Sequence, residues 1–179
     1  MAATVVINRY TGTGPTKTPI TGINTRLNAY DGHSTSDTSN SILIPNSGTN
    51  YSFWAPTRLQ VTAITGGTVN NIKWFTDGAN GLGTGVVLNV ATATSYTQAT
   101  GTTGTTGTVL NTTNYPSLSG APVSAFTYTS GSPLSVSGST STAADLGDFV
   151  VLQVAVSSTA AQGTTAQETI TWRYDDTSA

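Results

Sequence analysis

Cysteine is absent from the 179 residues, histidine occurs once, lysine twice, and only 14 residues carry charge, six basic and eight acidic. Without cysteine there are no disulfide staples, thiolate metal sites or cysteine nucleophiles, so stability has to come from packing and from partners. The basic residues Arg9, Lys17, Arg26, Arg58, Lys73 and Arg173 are scattered. No run of them matches a phosphate backbone or an anionic lipid surface, so neither nucleic acid nor membrane is an expected partner. No apolar stretch approaches the roughly 18 residues of a helical membrane span, and a soluble protein is expected. Helical periodicity is missing too; Ala143 to Gly147 offers at most one short turn, since Thr and Ser are mediocre helix formers.

What the chain does have is 37 Thr, 19 Ser and 19 Gly. Short runs of Val, Ile, Thr and aromatic residues alternate with Gly, Asn, Asp, Ser and Pro every 8–15 residues or so, an all-β signature. Thr57 to Ile64 is the clearest strand, with Leu59, Val61 and Ala63 alternating against Arg58, Gln60 and Thr62. Glu168 to Tyr174 repeats the pattern, with Ile170, Trp172 and Tyr174 on one face. Val69 to Thr76 carries Ile72 and Trp74 inward and ends at Asp77-Gly78, whereas Gly85 to Ala91 and Asp148 to Ser157 are continuously apolar, as burial on both faces requires. Further strands are expected at Thr4 to Arg9, Arg26 to Tyr30, Ser41 to Ile44, Tyr51 to Trp54, Ser95 to Gln98, Gly107 to Leu110 and Ser124 to Thr129.

Nine to eleven or so strands in one domain predict a two-sheet β-sandwich of immunoglobulin-like or jelly-roll type with Greek-key connections. Residues 1–25, punctuated by Gly12, Gly14, Pro15, Pro19 and Gly22, read as an extended N-terminal arm, leaving residues 26–179 as the sandwich domain. The low-complexity stretches Ala99 to Gly107 and Ser130 to Ala144 read as long polar loops, ordered only against another subunit or not at all.

The residues that carry chemistry are few. His33, in Asp31-Gly32-His33-Ser34, has no Gly-x-Ser-x-Gly elbow or second histidine around it, so a polar turn residue is the simpler reading than a nucleophile or metal site. The acidic residues are Asp31, Asp37, Asp77, Asp145, Asp148, Glu168, Asp175 and Asp176, and nothing selects two of them as a glycosidase pair. Asp77-Gly78-Ala79-Asn80-Gly81 resembles half a calcium loop without its closing acid, and a hairpin turn needing positive φ explains it more simply. No catalytic residue, metal or cofactor is therefore expected. Trp74 and Trp172 fall on the apolar phase of their strands, whereas Trp54, just before Ala55-Pro56, is the expected exposed aromatic and the candidate glycan or receptor contact.

β-Proteins usually guard their edge strands with Lys, Pro or charge. With two lysines, this chain is expected either to hide its edges under loops or to cover them with neighbouring subunits, the second making it an assembling protein. Residues 1–25 show no basic segment, apolar stretch and small-residue cleavage site in that order. The expectation is a chain folded in the cytoplasm with a surface suited to the outside, a combination that virus particles reconcile. The segments VNNIKWFTDGANGLGTGV (69–86) and DFVVLQVAVSSTAAQGTTAQETITWRYDD (148–176) resemble stretches of Thr/Gly-rich virion structural proteins of tailed bacteriophages. That resemblance implies a non-enzymatic component that decorates or cements a capsid. Its implied partners are the major shell protein and further copies of itself, for instance a trimer at local symmetry axes. The alternatives are a receptor- or glycan-binding fibre or tail module, and a subunit of an extracellular filament or surface layer.

Overall fold

The computed structural model describes residues 2–177, whose regular structure is antiparallel β-sheet apart from one 3-10 turn at Ala125–Thr127, joined by long irregular connections. Among the described residues the strands are β1 (Thr4–Thr11), β2 (Thr16–Pro19), β3 (Thr49–Tyr51), β4 (Ala55–Ala63), β5 (Val69–Phe75), β6 (Val86–Ala93), β7 (Gly101–Thr102), β8 (Thr106–Gly107), β9 (Val123–Ser124), β10 (Leu134–Val136), β11 (Ala144–Ser157) and β12 (Thr171–Asp176). A seven-stranded sheet runs β2-β1-β4-β11-β6-β9, with β3 also paired to β11. A second sheet runs β10-β5-β12, and β7 and β8 form a hairpin.

The expected arm over residues 1–25 is instead, over residues 4–19, part of the larger sheet. Val5, Ile7 and their neighbours pair with Leu59, Val61 and the rest of β4 on one side, and residues 8–11 pair with β2 on the other. The physical reason is the apolar run itself: Val5 and Ile7 pack against the main core, which outweighs the Gly and Pro that follow. Ala143 to Gly147 is likewise no helical turn; from Ala144 onward it belongs to β11.

β11 organises the larger sheet. It pairs with β4 through residues 144–152, with β3 through residues 155–157, and with β6 through residues 149–156. Neighbours on both edges satisfy its backbone, and because its side chains are apolar on both faces, both faces must be covered. Leu146, Val150 and Leu152 join Leu59, Val61, Leu88 and Val90 in one cluster, which also takes Val69, Ile72, Trp74 and Val136 from the smaller sheet. Phe149 and Val151 point the other way, joining Ala91 and Ala93 in a second cluster roofed by Ala29, Phe53, Trp54, Ala99, Leu110, Tyr115 and Leu118. The double burial anticipated for the continuously apolar runs is met on one face by a sheet and on the other by long loops.

Two irregularities fit the pieces together. β11 bulges between Leu146 and Val150, where Gly147 adopts a φ of 79° and lets Gly138 approach; a Cβ on Gly138 would come within 2.3 Å of the Gly147 Cα. Arg58 donates from Nε to the Gly147 carbonyl (2.6 Å) and lies 5.0 Å over the Phe149 ring. β5 breaks its ladder with β12 at Asn71, whose φ of 48° marks a bulge that keeps both Val69 and Ile72 buried.

The stretch Ala99 to Gly107 is not an open loop. Thr102 pairs with Thr106 around Gly104, whose φ is 72°. Gly107 lies so close to Ser52 that a Cβ would meet the Ser52 carbonyl at 2.2 Å. The clamp holding this region is Gln153 of β11, 1% exposed. Its Nε2 donates to the carbonyls of Ser52 and Thr108, both at 2.8 Å, and its Oε1 accepts the Leu110 N–H at 2.7 Å. Ser52 completes the joint: its N–H reaches the Val154 carbonyl (2.8 Å), and its Oγ accepts the Val154 N–H (2.9 Å) in place of a ladder carbonyl. Arg26 to Tyr30 and Ser41 to Ile44, expected as strands, are irregular because their backbone bonds go singly to different loops: Arg26 N–H to Ser34, Ala29 to Asn40, Leu43 to Thr105.

Replacing Gln153 by leucine keeps the volume but strands one buried N–H and two carbonyls, so Gln153→Leu should cost about 3 kcal/mol or more, at roughly 1–3 kcal/mol per orphaned group. Urea unfolding of the two proteins checks this; equal midpoints would show that the amide does not hold the loops.

Candidate functional site

Trp54, the expected exposed aromatic, is 2% exposed. Its indole donates to the Thr97 carbonyl (3.1 Å) and its ring meets Tyr115 edge-on at 5.5 Å. The corner at Ala55-Pro56 turns Trp54 under the loop roof instead of out to solvent, so it offers no face to a sugar. Trp74 is fully buried, and Trp172, its cross-strand partner, is half-buried. Among the described residues the exposed large apolar side chains are Ile23 (49%), Tyr30 (42%), Leu43 (56%), Val87 (38%) and Val123 (41%). Three of these five sit in the irregular connection between β2 and β3. The sequence clue to them was faint: apolar residues set singly among Gly, Asn, Asp and Ser, without the alternation that marks a core strand.

That connection is pinned to β1 by the most concentrated polar cluster in the chain. Arg9 of β1 is 1% exposed; its Nη1 donates to the Arg26 carbonyl (2.7 Å) and to Thr25 Oγ1 (3.2 Å), while Nε has no hydrogen-bond partner. Burial pulls the guanidinium down to about 10, partly opposed by Asp31. Thr25 Oγ1 lies 3.1 Å from His33 Nδ1. The Thr25 hydroxyl accepts from Arg9 and shares a hydrogen bond with Nδ1 whose direction is set by the imidazole tautomer. Burial first, and the nearby Arg9 cation second, hold His33 below its ordinary 6.5. Asp31 does not orient the imidazole; its Oδ2 accepts from the Gly12 N–H (3.1 Å) and Gln98 Nε2 (2.8 Å). Tyr96 closes the group by donating to the Gly12 carbonyl (2.7 Å). Ser34 Oγ is occupied by the N–H groups of Ser36 and Asp37. The arrangement works as a staple between β1, the β1–β2 turn and residues 25–34, without the Ser/His/Asp alignment of a nucleophile.

The other acidic residues also serve local geometry. Asp37 is held below the usual carboxylate range by the Asn40 amide and the Ser39 N–H. Asp77 Oδ1 accepts the Ala79 N–H (2.9 Å), Asn80 Oδ1 accepts that of Leu82 (3.1 Å), and Glu168 reaches across to the Gly81 N–H (2.6 Å). The half calcium loop is thus a pair of side-chain-capped turns closed by a carboxylate. Among the described residues no three His, Asp or Glu side chains gather as a metal group. Asp145 pairs with Lys17 at 2.5 Å. Beside it the buried Tyr10 phenol is raised well above its usual range, by desolvation first and the Asp145 charge second. Burial raises Asp148 against the pull of Arg58.

Surface relief is slight. A groove of about 220 Å³ lies between Leu82, Thr84, Thr159 and Thr164, and another of about 190 Å³ between Thr92, Ser119, Tyr128 and Leu134. Both fall short of the roughly 300–1,000 Å³ usual for small-molecule sites.

No family model, no curated protein and no solved structure matches this chain.

A depressed histidine binds fewer protons in the folded state than in the unfolded one, so its contribution to stability is complete above pH 6.5 and is lost as the pH falls below that value. NMR titration should place the His33 midpoint below 6.5. Unfolding measured across that window should lose stability more steeply for the wild type than for His33→Asn. A midpoint at or above 6.5 would contradict the burial of His33 beside the Arg9 cation.

Proposed function

We propose that this chain is a non-enzymatic structural protein of a virus particle that decorates or cements the capsid by docking on the major shell protein. The observation that carries the reading is that three of the five exposed large apolar side chains among the described residues, Ile23, Tyr30 and Leu43, belong to one stapled connection. Exposed apolar side chains on a charge-poor surface mark a protein-binding site where they form a continuous patch. The staple matters because a surface held in place before docking loses little conformational entropy on binding. The docking element in this reading is residues 20–48, since residues 1–25 are committed to the sheet and the β2–β3 connection.

In the same reading the seven-stranded and three-stranded sheets are the two layers of a sandwich, immunoglobulin-like or jelly-roll in type, because one core cluster draws on both. The order β2-β1-β4-β11-β6, in which sequence neighbours are repeatedly separated, suits Greek-key connections. The resemblance of residues 69–86 and 148–176 to phage virion proteins supports the assignment to a particle. The low charge suits it too, because contacts made through hydroxyl and apolar groups are little affected by salt.

Quantitative mass spectrometry of density-purified particles tests the proposal. The expected result is a copy number equal to that of the shell protein or a simple fraction of it, reduced when Ile23, Tyr30 and Leu43 are all changed to serine. Absence from particles would overturn it; a handful of copies per particle would instead favour a tail or fibre component.

A further inference from the structure

Among the described residues the end strands of the two larger sheets are β2 and β9 in the seven-stranded sheet and β10 and β12 in the three-stranded one; the three-residue β3, a branch on β11, also pairs on one side only. Such an edge presents backbone N–H and C=O groups to any strand that fits. β2 has four residues and carries both Lys17 and Pro19, while β9 has two residues and β10 three. β12 has six, without Pro or Lys. Among the described residues its ladder runs to β5 alone, so of these four it is the longest edge; its last residue, Asp176, accepts the Ala3 N–H at 2.6 Å.

The side chains of β12 specify which strand fits. Arg173 and Asp175 are both exposed and share the outer face, while Trp172 and Tyr174 pack toward the core. In an antiparallel pairing of β12 with the β12 of a second copy, centred on Tyr174, Arg173 of each stands opposite Asp175 of the other. Centring on Arg173 or on Asp175 instead puts like charges face to face, which is unfavourable. The charge pattern therefore selects one register out of three, and that register is self-complementary, as a two-fold contact demands. The existing contacts leave both groups usable. Asn71 takes one oxygen of Asp175, Oδ2 at 2.8 Å, and Arg173 lies flat 5.6 Å over the Phe75 ring. Lys73, directly across from Arg173, bonds Ser135 Oγ at 2.9 Å and adds positive charge on the β5 side, which strengthens the demand for an acidic partner.

We propose that β12 is a self-recognition edge through which two copies of this chain pair antiparallel about a two-fold axis at Tyr174, with Arg173 opposite Asp175 in both directions. The pairing joins two three-stranded sheets into one of six strands. A contact of this length buries less than the area of a standard stable interface, so the dimer is weak and exchanging, suited to reinforcement inside a larger assembly. The inference is independent of whether that assembly is a virus particle.

Sedimentation velocity of the full chain at low salt, over concentrations up to about 1 mM, reads the association directly. The wild type should dimerise with rising concentration. R173D and D175R should each lose about tenfold or more in association, because each places two like-charged pairs across the contact. Mixed in equal amounts, the two variants should associate again, since the acidic edge of one then faces the basic edge of the other. Far-UV circular dichroism verifies that both fold, with R173Q and D175N as milder replacements if either does not. A wild type that stays monomeric, single variants that associate like the wild type, or a mixture that fails to recover would each overturn the proposal. So would variants that leave self-association intact while losing attachment to a different protein.

Discussion

The constraint on which the rest of the structure depends is that β11 is apolar on both faces. Leu146, Val150 and Leu152 look toward the smaller sheet, Phe149 and Val151 toward the loops, and no face is left for solvent. With 36% hydrophobic residues the chain cannot supply a whole further sheet for the second face. It uses loop segments carrying isolated apolar residues, such as Ala29, Ala99, Leu110, Tyr115 and Leu118. Loops bring unpaired backbone groups under cover with them, and these need partners. Gln153 meets that need with one side chain, three hydrogen bonds and no charge. Arg9 does the corresponding work at the β1 end, holding residues 25 and 26 to the sheet.

Much of the scaffold was legible because its signals are local. The alternation in Thr57 to Ile64 and Val69 to Thr76, and the continuous apolar runs at Gly85 to Ala91 and Asp148 to Ser157, correspond to β4, β5, β6 and β11. The closing run from Glu168 was right in phase, with Trp172 opposite Trp74, but started late because the ladder begins only at Thr171. What stayed hidden depends on distant partners. β2, β7 and β10 consist of Thr, Lys, Pro, Gly, Leu, Ser and Val, and exist because β1, β8 and β5 lie beside them. The Gly and Pro after Thr11 suggested an arm, yet two valines and an isoleucine before it had already committed the segment to the sheet. Trp54 was misjudged for the same reason: the loops that cover it lie more than forty residues further along the chain.

The candidate surface was less legible than the scaffold. Ile23, Tyr30 and Leu43 are exposed because the staple formed by Arg9, Thr25 and His33 and the bonds to Ser34, Asn40 and Thr105 fix the backbone between them. None of those pairings is written in local periodicity. The two polar low-complexity loops, expected to wait for a neighbouring subunit, are instead folded onto their own sheet as a hairpin and as β10. The surfaces proposed for partners are correspondingly small: one stapled connection and the edge of β12.

The central claim is that this charge-poor chain is a rigid body whose long loops are structural layers, fastened from within by Gln153. Native-state hydrogen exchange tests it most directly. The account predicts that the amides of Gly104, Thr108, Leu110, Tyr115 and Leu118, all hydrogen-bonded within the chain, exchange on the timescale of β11 and β6 in the isolated protein. Exchange of those amides at the rate of an open loop, with protection confined to the strands, would contradict it.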